Sequence, residues 1–273
     1  MIRYSLFAAA FVLSVAAAPT HAFAADSEAT FEKTLAVSAS PTVVISTGSG
    51  YTHVTAGPDN QFHIIGHVHS HPGWLFSSAN EDSVKQIAAN PPISQSGNTI
   101  TVSVPHTDSD FFRNVSIDYD VTTPRSTNLT AHTGSGSIQI AGMQSSVTAD
   151  SGSGSLHLSL AASSNVKAHT GSGSIHIDGV AGGLNADTGS GSIEVAGNLT
   201  TDWHLSTGSG SIRLKLADNA RFTLAASTGA GSVHIVQPIV MQGSLNGHHV
   251  SGTVNGGGPT IRATTGAGSI TIQ

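Results

Sequence analysis

A Gly-Ser motif recurs along most of this 273-residue chain, and its spacing constrains the fold more than any other feature. The clearest copy is Thr170-Gly171-Ser172-Gly173-Ser174-Ile175-His176-Ile177, with near-copies beginning at Thr133, Ser151, Thr188, Thr207, Thr228 and Thr265. The first glycines stand at 134, 152, 171, 189, 208, 229 and 266, so the steps are 18, 19, 18, 19, 21 and 37 residues. A fixed period of this size marks stacked structural repeats, because one such unit cannot bury its own apolar face. A shortened relative, Thr47-Gly48-Ser49-Gly50-Tyr51, stands far ahead of the run.

Within a repeat, apolar and polar residues alternate on both sides of the Gly-Ser corner, which predicts two short strands per unit. Parity places Val166, Ala168, Ile175 and Ile177 inside and Lys167, His169 and His176 outside. The threonine that opens each motif also falls on the inner side, which argues against an ice-binding ladder. The glycines supply corner conformations with positive φ, and the last serine of each corner is expected to hydrogen-bond corner backbone. The fold class that follows is all-β: a β-solenoid of coils about 18–19 residues long. A sandwich of hairpins is the runner-up, since strands of this length also form hairpins.

Residues 1–24 read as a secretory signal peptide, with Arg3 before an apolar run from Leu6 to Ala18 and a small-x-small site at Ala22-Phe23-Ala24. Residues 25–128 carry the repeat poorly, and residues 129–273 carry it regularly, the two portions being continuous. Strand-like alternation in the first portion falls at Val43–Ile45, Phe62–Val68, Thr99–Val104 and Val115–Val121. One helix is expected at 79–89, with a Ser78/Glu81 capping box, an apolar stripe of Val84, Ile87 and Ala88, and a stop at Asn90-Pro91-Pro92. It would cover an end or edge of the sheet. Residues 161–165 are expected to form a small connecting loop.

Composition narrows the function. Charged residues make up only 10% and the net charge is −6, which gives no electrostatic footprint for nucleic acid. With no cysteine, the fold depends on its hydrogen-bond ladder without disulfide staples. Nothing after the leader is long and apolar enough for a transmembrane helix. The expectation is an exported chain, periplasmic or at the cell surface.

The order of segments carries a resemblance. Ile45-Ser46-Thr47-Gly48-Ser49-Gly50 is followed by the Ile93 to Val104 stretch, then Ile117-Asp118-Tyr119-Asp120-Val121, then the Gly-Ser coils. In this order the chain resembles a bacterial adhesin-like family of unknown function, related to auto-transporter adhesin head domains. The resemblance implies a β-helical exported domain of the cell envelope with no assigned enzymatic activity, and it supplies neither ligand nor site.

Chemistry-bearing patterns are few. Asp150-Ser151-Gly152 and Asp187-Thr188-Gly189 imitate the aspartic-protease signature, but two coils separate them, whereas that chemistry needs carboxylates about 3 Å apart. The corners lead into strands and lack the Gly-Lys-Ser/Thr of phosphate loops, and there is no Gly-x-Ser-x-Gly elbow. Two outward columns remain as the expected interaction face. One reads His132, Asp150, His169, Asp187; the other reads Gln139, His157, His176, Glu194, Arg213, His234, Thr271. Alternating imidazole and carboxylate avoids stacking like charges. His67, His69 and His71 are the candidates for metal binding, since imidazoles at i and i+2 share a strand face. No cofactor is expected.

The sequence therefore predicts a non-enzymatic, adhesin-like or scaffold module that binds an envelope protein or polysaccharide through a repetitive face. A metal- or pH-responsive histidine-rich binder is the alternative. The last strand pattern, Ile270-Thr271-Ile272, has no following cap and predicts an open edge for end-to-end association.

Overall fold

The computed structural model describes residues 28–70, 77–103, 115–236, 239–240 and 247–273. The leader, His71 and the side chains of the Ser78/Glu81 capping box lie outside the described residues.

The elements ahead of the regular run are β1 (Glu28–Ala36), β2 (Thr42–Ser49), β3 (Thr52–Gly57), β4 (Gln61–Ser70) and α1 (Ser77–Ala89). After them come β5 (Ile93–Ser96), β6 (Thr99–Ser103) and β7 (Val115–Pro124). The run itself contains β8 (Asn128–Ser135), β9 (Ile138–Ala141), β10 (Val147–Ser153), β11 (Leu156–Ser172), β12 (Ile175–Ser190), β13 (Ile193–Gly197), β14 (Trp203–Ser209) and β15 (Ile212–Lys215). It continues through β16 (Phe222–Ala230), β17 (Val233–Ile235), β18 (Ile239–Val240), β19 (His249–Val254), β20 (Thr260–Ala267) and β21 (Ile270–Ile272).

Corresponding strands of neighbouring coils pair in parallel, as with Val147↔Leu129 and Val147↔Val166. Parallel pairing decides for the solenoid, because hairpins would pair antiparallel. The chain passes each Gly-Ser corner from a first wall of strands to a second. The first wall runs β5, β6, β2, β8, β10, the later halves of β11 and β12, β14, β20, β16, β19, β18. The second runs β1, β4, β7, β3, β9, the earlier halves of β11 and β12, β13, β15, β21, β17. Inward residues of both walls form one core, in which small Ala131, Ala149 and Ala168 accompany Ile138, Leu156 and Ile175. Burying each isoleucine contributes about 1.5–3 kcal/mol.

The irregular portion joins the same stack. Residues 42–57 form a complete coil, with Thr47 in register with Thr133 and His53 with Gln139. The strands at β4, β6 and β7 lie where alternation predicts. β4 pairs antiparallel with both β1 and β7, closing this end of the second wall. Helix α1 packs against β1 and β4 with Val84 and Ile87 buried in the core, so it covers this end of the sheet as expected. The loop expected at 161–165 is instead continuous β11 with two register shifts and Ala162 at φ 64°. A bulge absorbs the extra residue without breaking the ladder.

The far end departs from sequence order. The coil Thr260–Ile272 lies between the coils 203–215 and 222–235, with Leu205↔Ala263↔Ala226 in register. After β15 the chain skips a layer, builds β16 and β17, adds β19 antiparallel to β16, and returns to fill the gap. Ile270–Ile272 is thus paired on both sides, by β15 and β17, and is not the open edge expected of it.

The inner threonines act as a second ladder. Each is buried and donates its hydroxyl to the corner carbonyl of the preceding layer: Thr170 to Gly154 and Thr207 to Gly191 at 2.8 Å, Ser151 to Gly136 at 2.9 Å. The corner serines do bond backbone, but across coils: Ser192 N–H donates to Ser174 Oγ and Ser211 N–H to Ser192 Oγ, both at 3.3 Å. Only the second glycine of a corner needs positive φ, as at Gly136 with φ 145°. The first is required by close approach instead. A Cβ on Gly152 would stand 2.5 Å from the carbonyl oxygen of Gly134.

Candidate interaction face

The two outward columns fall on different walls and do not combine. On the first wall the register aligns His132, Asp150, His169 and Asp187, continuing to Ser206, Thr264 and Ser227. His132 Nδ1 lies 3.9 Å from Asp150 Oδ2, and His169 Nδ1 lies 3.3 Å from Asp187 Oδ2. All four side chains are about half exposed, and such pairs contribute little to stability. His169 stands between Asp150 and Asp187, so no shared-proton dyad exists there.

The second wall carries the longer row: Asp120, His53, Gln139, His157, His176, Glu194, Arg213, Thr271, His234. The interposed last coil puts Thr271 ahead of His234, reversing the order that the sequence predicts. Side chains on this row meet their lateral neighbours as well. The rings of His157 and His176 stack with centroids 4.6 Å apart and planes at 28°. His176 Nε2 is 2.9 Å from Asp178 Oδ2, and its Nδ1 is 3.7 Å from Glu194 Oε2. Lys215 Nζ donates to Glu194 Oε1 at 2.6 Å, while Arg213 Nη1 lies 3.8 Å from Glu194 Oε2. The hydrogen bond from Lys215 holds the Glu194 carboxyl below its ordinary range, helped by the charges of His176 and Arg213 against a smaller opposing effect of burial.

At the other end of the row, four strands and the Tyr51 corner bring a histidine–carboxylate cluster together. Asp120 takes His53 Nδ1 at 3.2 Å on Oδ1, and His67 Nε2 at 3.5 Å and Tyr51 Oη at 3.2 Å on Oδ2. Asp118 accepts the Tyr51 N–H at 2.8 Å, and its Oδ2 lies 3.3 Å from His69 Nε2. His69 Nδ1 is also 3.3 Å from Glu28 Oε1. Partial burial, then Asp120 and Asp118, push the Tyr51 phenol up. His63 extends the cluster sideways to Glu32 at 3.5 Å and Thr34 at 3.0 Å.

His67 and His69 therefore share a face, as expected, but each engages a carboxylate. Among the described residues no three His, Asp or Glu side chains are grouped to hold a metal ion. The sequence reading missed His53, Asp118, Asp120, Glu28, Tyr51, Asp178 and Lys215. The pairing of β3 and β4 with β7 spans 45 to 67 residues and leaves no local pattern. The one available signal was the alternation in Asp118-Tyr119-Asp120, which puts both acids outside and Tyr119 in the core. Tyr119 is fully buried beside Phe31, its hydroxyl has no partner among the described residues, and burial pushes its phenol strongly up.

Two open depressions interrupt the described surface: one of about 310 Å³ lined by Pro58, Gln61, His63 and Thr122, and one of about 200 Å³ lined by Asp202, Trp203, His204, Thr260 and Arg262. Among the described residues no helix is long and apolar enough to cross a membrane.

Comparison with known proteins finds no match among curated sequences. Among solved structures the chain is similar to a "putative cell adhesion protein" from Clostridium sporogenes, at 13% identity and TM-score 0.34 over 89% of this chain and 99% of that one. It is also similar to a "putative adhesin" from Bacteroides fragilis, at 11% identity and TM-score 0.40 over 90% and 97%. Residues 33–273 match the family model described as Toastrack DUF4097. With eight stacked Gly-Ser coils and a match over nearly all of its length, the chain belongs to the Toastrack DUF4097 family.

Proposed function

We propose that this chain is a non-enzymatic, exported scaffold of the cell envelope that binds, in the manner of an adhesin, a protein or polysaccharide partner along the outer side of its second wall. The observation that carries the reading is the unbroken row from Asp120 to His234, which presents polar side chains of consecutive layers at the strand spacing of about 4.8 Å. Such a row offers many weak, equivalent contacts to an extended partner and no single deep site. The leader pattern of residues 1–24 and the resemblance in segment order support export.

The test compares two variants of the mature chain on immobilised envelope polysaccharides and envelope proteins. One carries His157→Ala, His176→Ala and Glu194→Ala on the second wall; the other carries His132→Ala, Asp150→Ala and His169→Ala on the first. Weakened retention of the second-wall variant alone supports the reading, and weakened retention of the first-wall variant alone refutes it.

A second reading is a metal- or pH-responsive face, whose pH arm is favoured by His53 and His67 sharing Asp120 and by His69 lying between Asp118 and Glu28. Calorimetric titration of zinc or copper into the mature chain tests its metal arm, and absence of stoichiometric uptake ends that arm. Retention that is unchanged between about pH 5 and pH 8, across the range in which histidine ordinarily changes charge, ends the other.

A further inference from the structure

The coil Thr260–Ile272 occupies a slot whose corner contacts are those of the repeat, with one bond of its own from the Thr260 N–H to Asp202 Oδ1 at 2.7 Å. Thr265 donates its hydroxyl to the Gly210 carbonyl at 2.8 Å, and Thr228 donates to Gly268 at 2.8 Å on the other side. Backbone bonds follow the same pattern: Gly210 N–H to Ala267 and Gly268 N–H to Ala230, each 2.8 Å. These are the bonds every other pair of coils makes, so at its corner the slot recognises any coil of this grammar.

The chain enters the slot through a single turn. β19 and β20 flank β16 on opposite sides, and Asn255-Gly256-Gly257-Gly258-Pro259 crosses the start of β16 between them. Asn255, Gly256 and Gly257 hold φ of 50°, 88° and 78°, a run of left-handed residues that turns the chain back sharply. The turn is pinned by Asn255 Nδ2 donating to the Ala220 carbonyl at 2.8 Å and by the Thr223 N–H donating to Pro259 at 2.9 Å. Opened to an extended chain, five residues reach about 17 Å, more than three strand spacings.

We infer that Thr260–Ile272 is an exchangeable coil, and that the slot between the coils 203–215 and 222–235 accepts the same coil from a second copy of this chain. The exchanged dimer contains every bond that Thr260–Ile272 makes within the slot; the turn at 255–259 and the bonds that pin it differ. Exchange of an identical element is a low-cost route to association when a short hinge can open. The closed form is held by the high effective concentration of the tethered coil, of order mM for a short link, so exchange grows with protein concentration toward that range.

The chain contains no cysteine, which allows a direct test. Ser206 and Thr264 are register neighbours on the outer side of the first wall. A Ser206→Cys/Thr264→Cys double variant should form an intramolecular disulfide when dilute, which establishes the interposed coil. A Ser206→Cys chain mixed with a size-tagged Thr264→Cys chain and concentrated toward about 1 mM should give a disulfide heterodimer. The same mixture of Asp150→Cys and His169→Cys chains, neighbours in mid-stack, should give none. Replacing Gly256 and Gly257 by alanine strains the closed turn and should raise the heterodimer fraction. No heterodimer at any concentration, equal cross-linking of the mid-stack pair, or a heterodimer fraction that falls in the alanine variant would each overturn the inference.

Discussion

Thr265 donates its hydroxyl to the carbonyl of Gly210, 55 positions earlier in the chain, with the same 2.8 Å geometry that joins Thr207 to Gly191 in the adjoining layer. The stack is therefore held by contacts that depend on a residue's place in the repeat and are indifferent to its place in the sequence.

The hydroxyl ladder should be measurable one rung at a time. Thr170 is fully buried and donates to the Gly154 carbonyl. Thr170→Val keeps the shape and β-branching but leaves that carbonyl without the hydroxyl, so a loss of about 1–3 kcal/mol is expected in chemical denaturation. Thr170→Ser, the residue nature places at position 151, should retain the bond and lose only the methyl contribution, about 0.8 kcal/mol. A valine variant as stable as the parent would show that the ladder adds nothing.

Glycines at equivalent corner positions should differ in tolerance. Gly48 belongs to the outermost Gly-Ser coil and an added Cβ would meet nothing within 4 Å, whereas Gly152 has the Gly134 carbonyl 2.5 Å away. Gly48→Ala should change stability by no more than about 0.5 kcal/mol. Gly152→Ala should cost about 1–3 kcal/mol through overpacking between coils. Melting temperatures of the two variants decide the point, and equal losses would contradict the assigned layer order.

Glu194 sets a pH dependence with a definite sign. Its folded-state carboxyl is held low, chiefly by the hydrogen bond from Lys215, so its contribution to stability is fully present above the ordinary glutamate range. That contribution is lost as pH falls through the lowered value. Thermal melts of the parent and Glu194→Gln should accordingly differ most near about pH 7 and converge on acidification toward about pH 3. A gap that widens on acidification would contradict the assignment.

Much of the fold was legible because one interaction dominates each level. Period-2 alternation sorts Val166, Ala168, Ile175 and Ile177 inward, and the Gly-Ser corners mark where the chain changes walls. The layer order at the far end was not legible, since Thr228 and Thr265 sit in identical motifs and either coil satisfies the same neighbours. The 21-residue step from Gly208 to Gly229 is the trace it leaves, two or three residues longer than its predecessors, where the chain passes over a layer. The second-wall column was legible through His157, His176, Glu194, Arg213 and His234. The cluster around Asp118 and Asp120 was not, because antiparallel pairing of β4 with β7 sets His67 against Asp118 with no periodicity to announce it.

Binding spread along a repetitive wall is the central claim, and removal of whole coils tests it most directly. Deleting residues 147–183 joins Ser146 to Leu184 at equivalent points of the repeat and removes two coils, with His157 and His176. Retention of this shortened chain on the envelope fraction that holds the parent should weaken by 1–2 kcal/mol, roughly a factor of 5–30, and remain measurable. Single alanine substitutions along the row should each cost less than the deletion. Complete loss of retention from one such substitution, or full retention after the deletion, would contradict a distributed face.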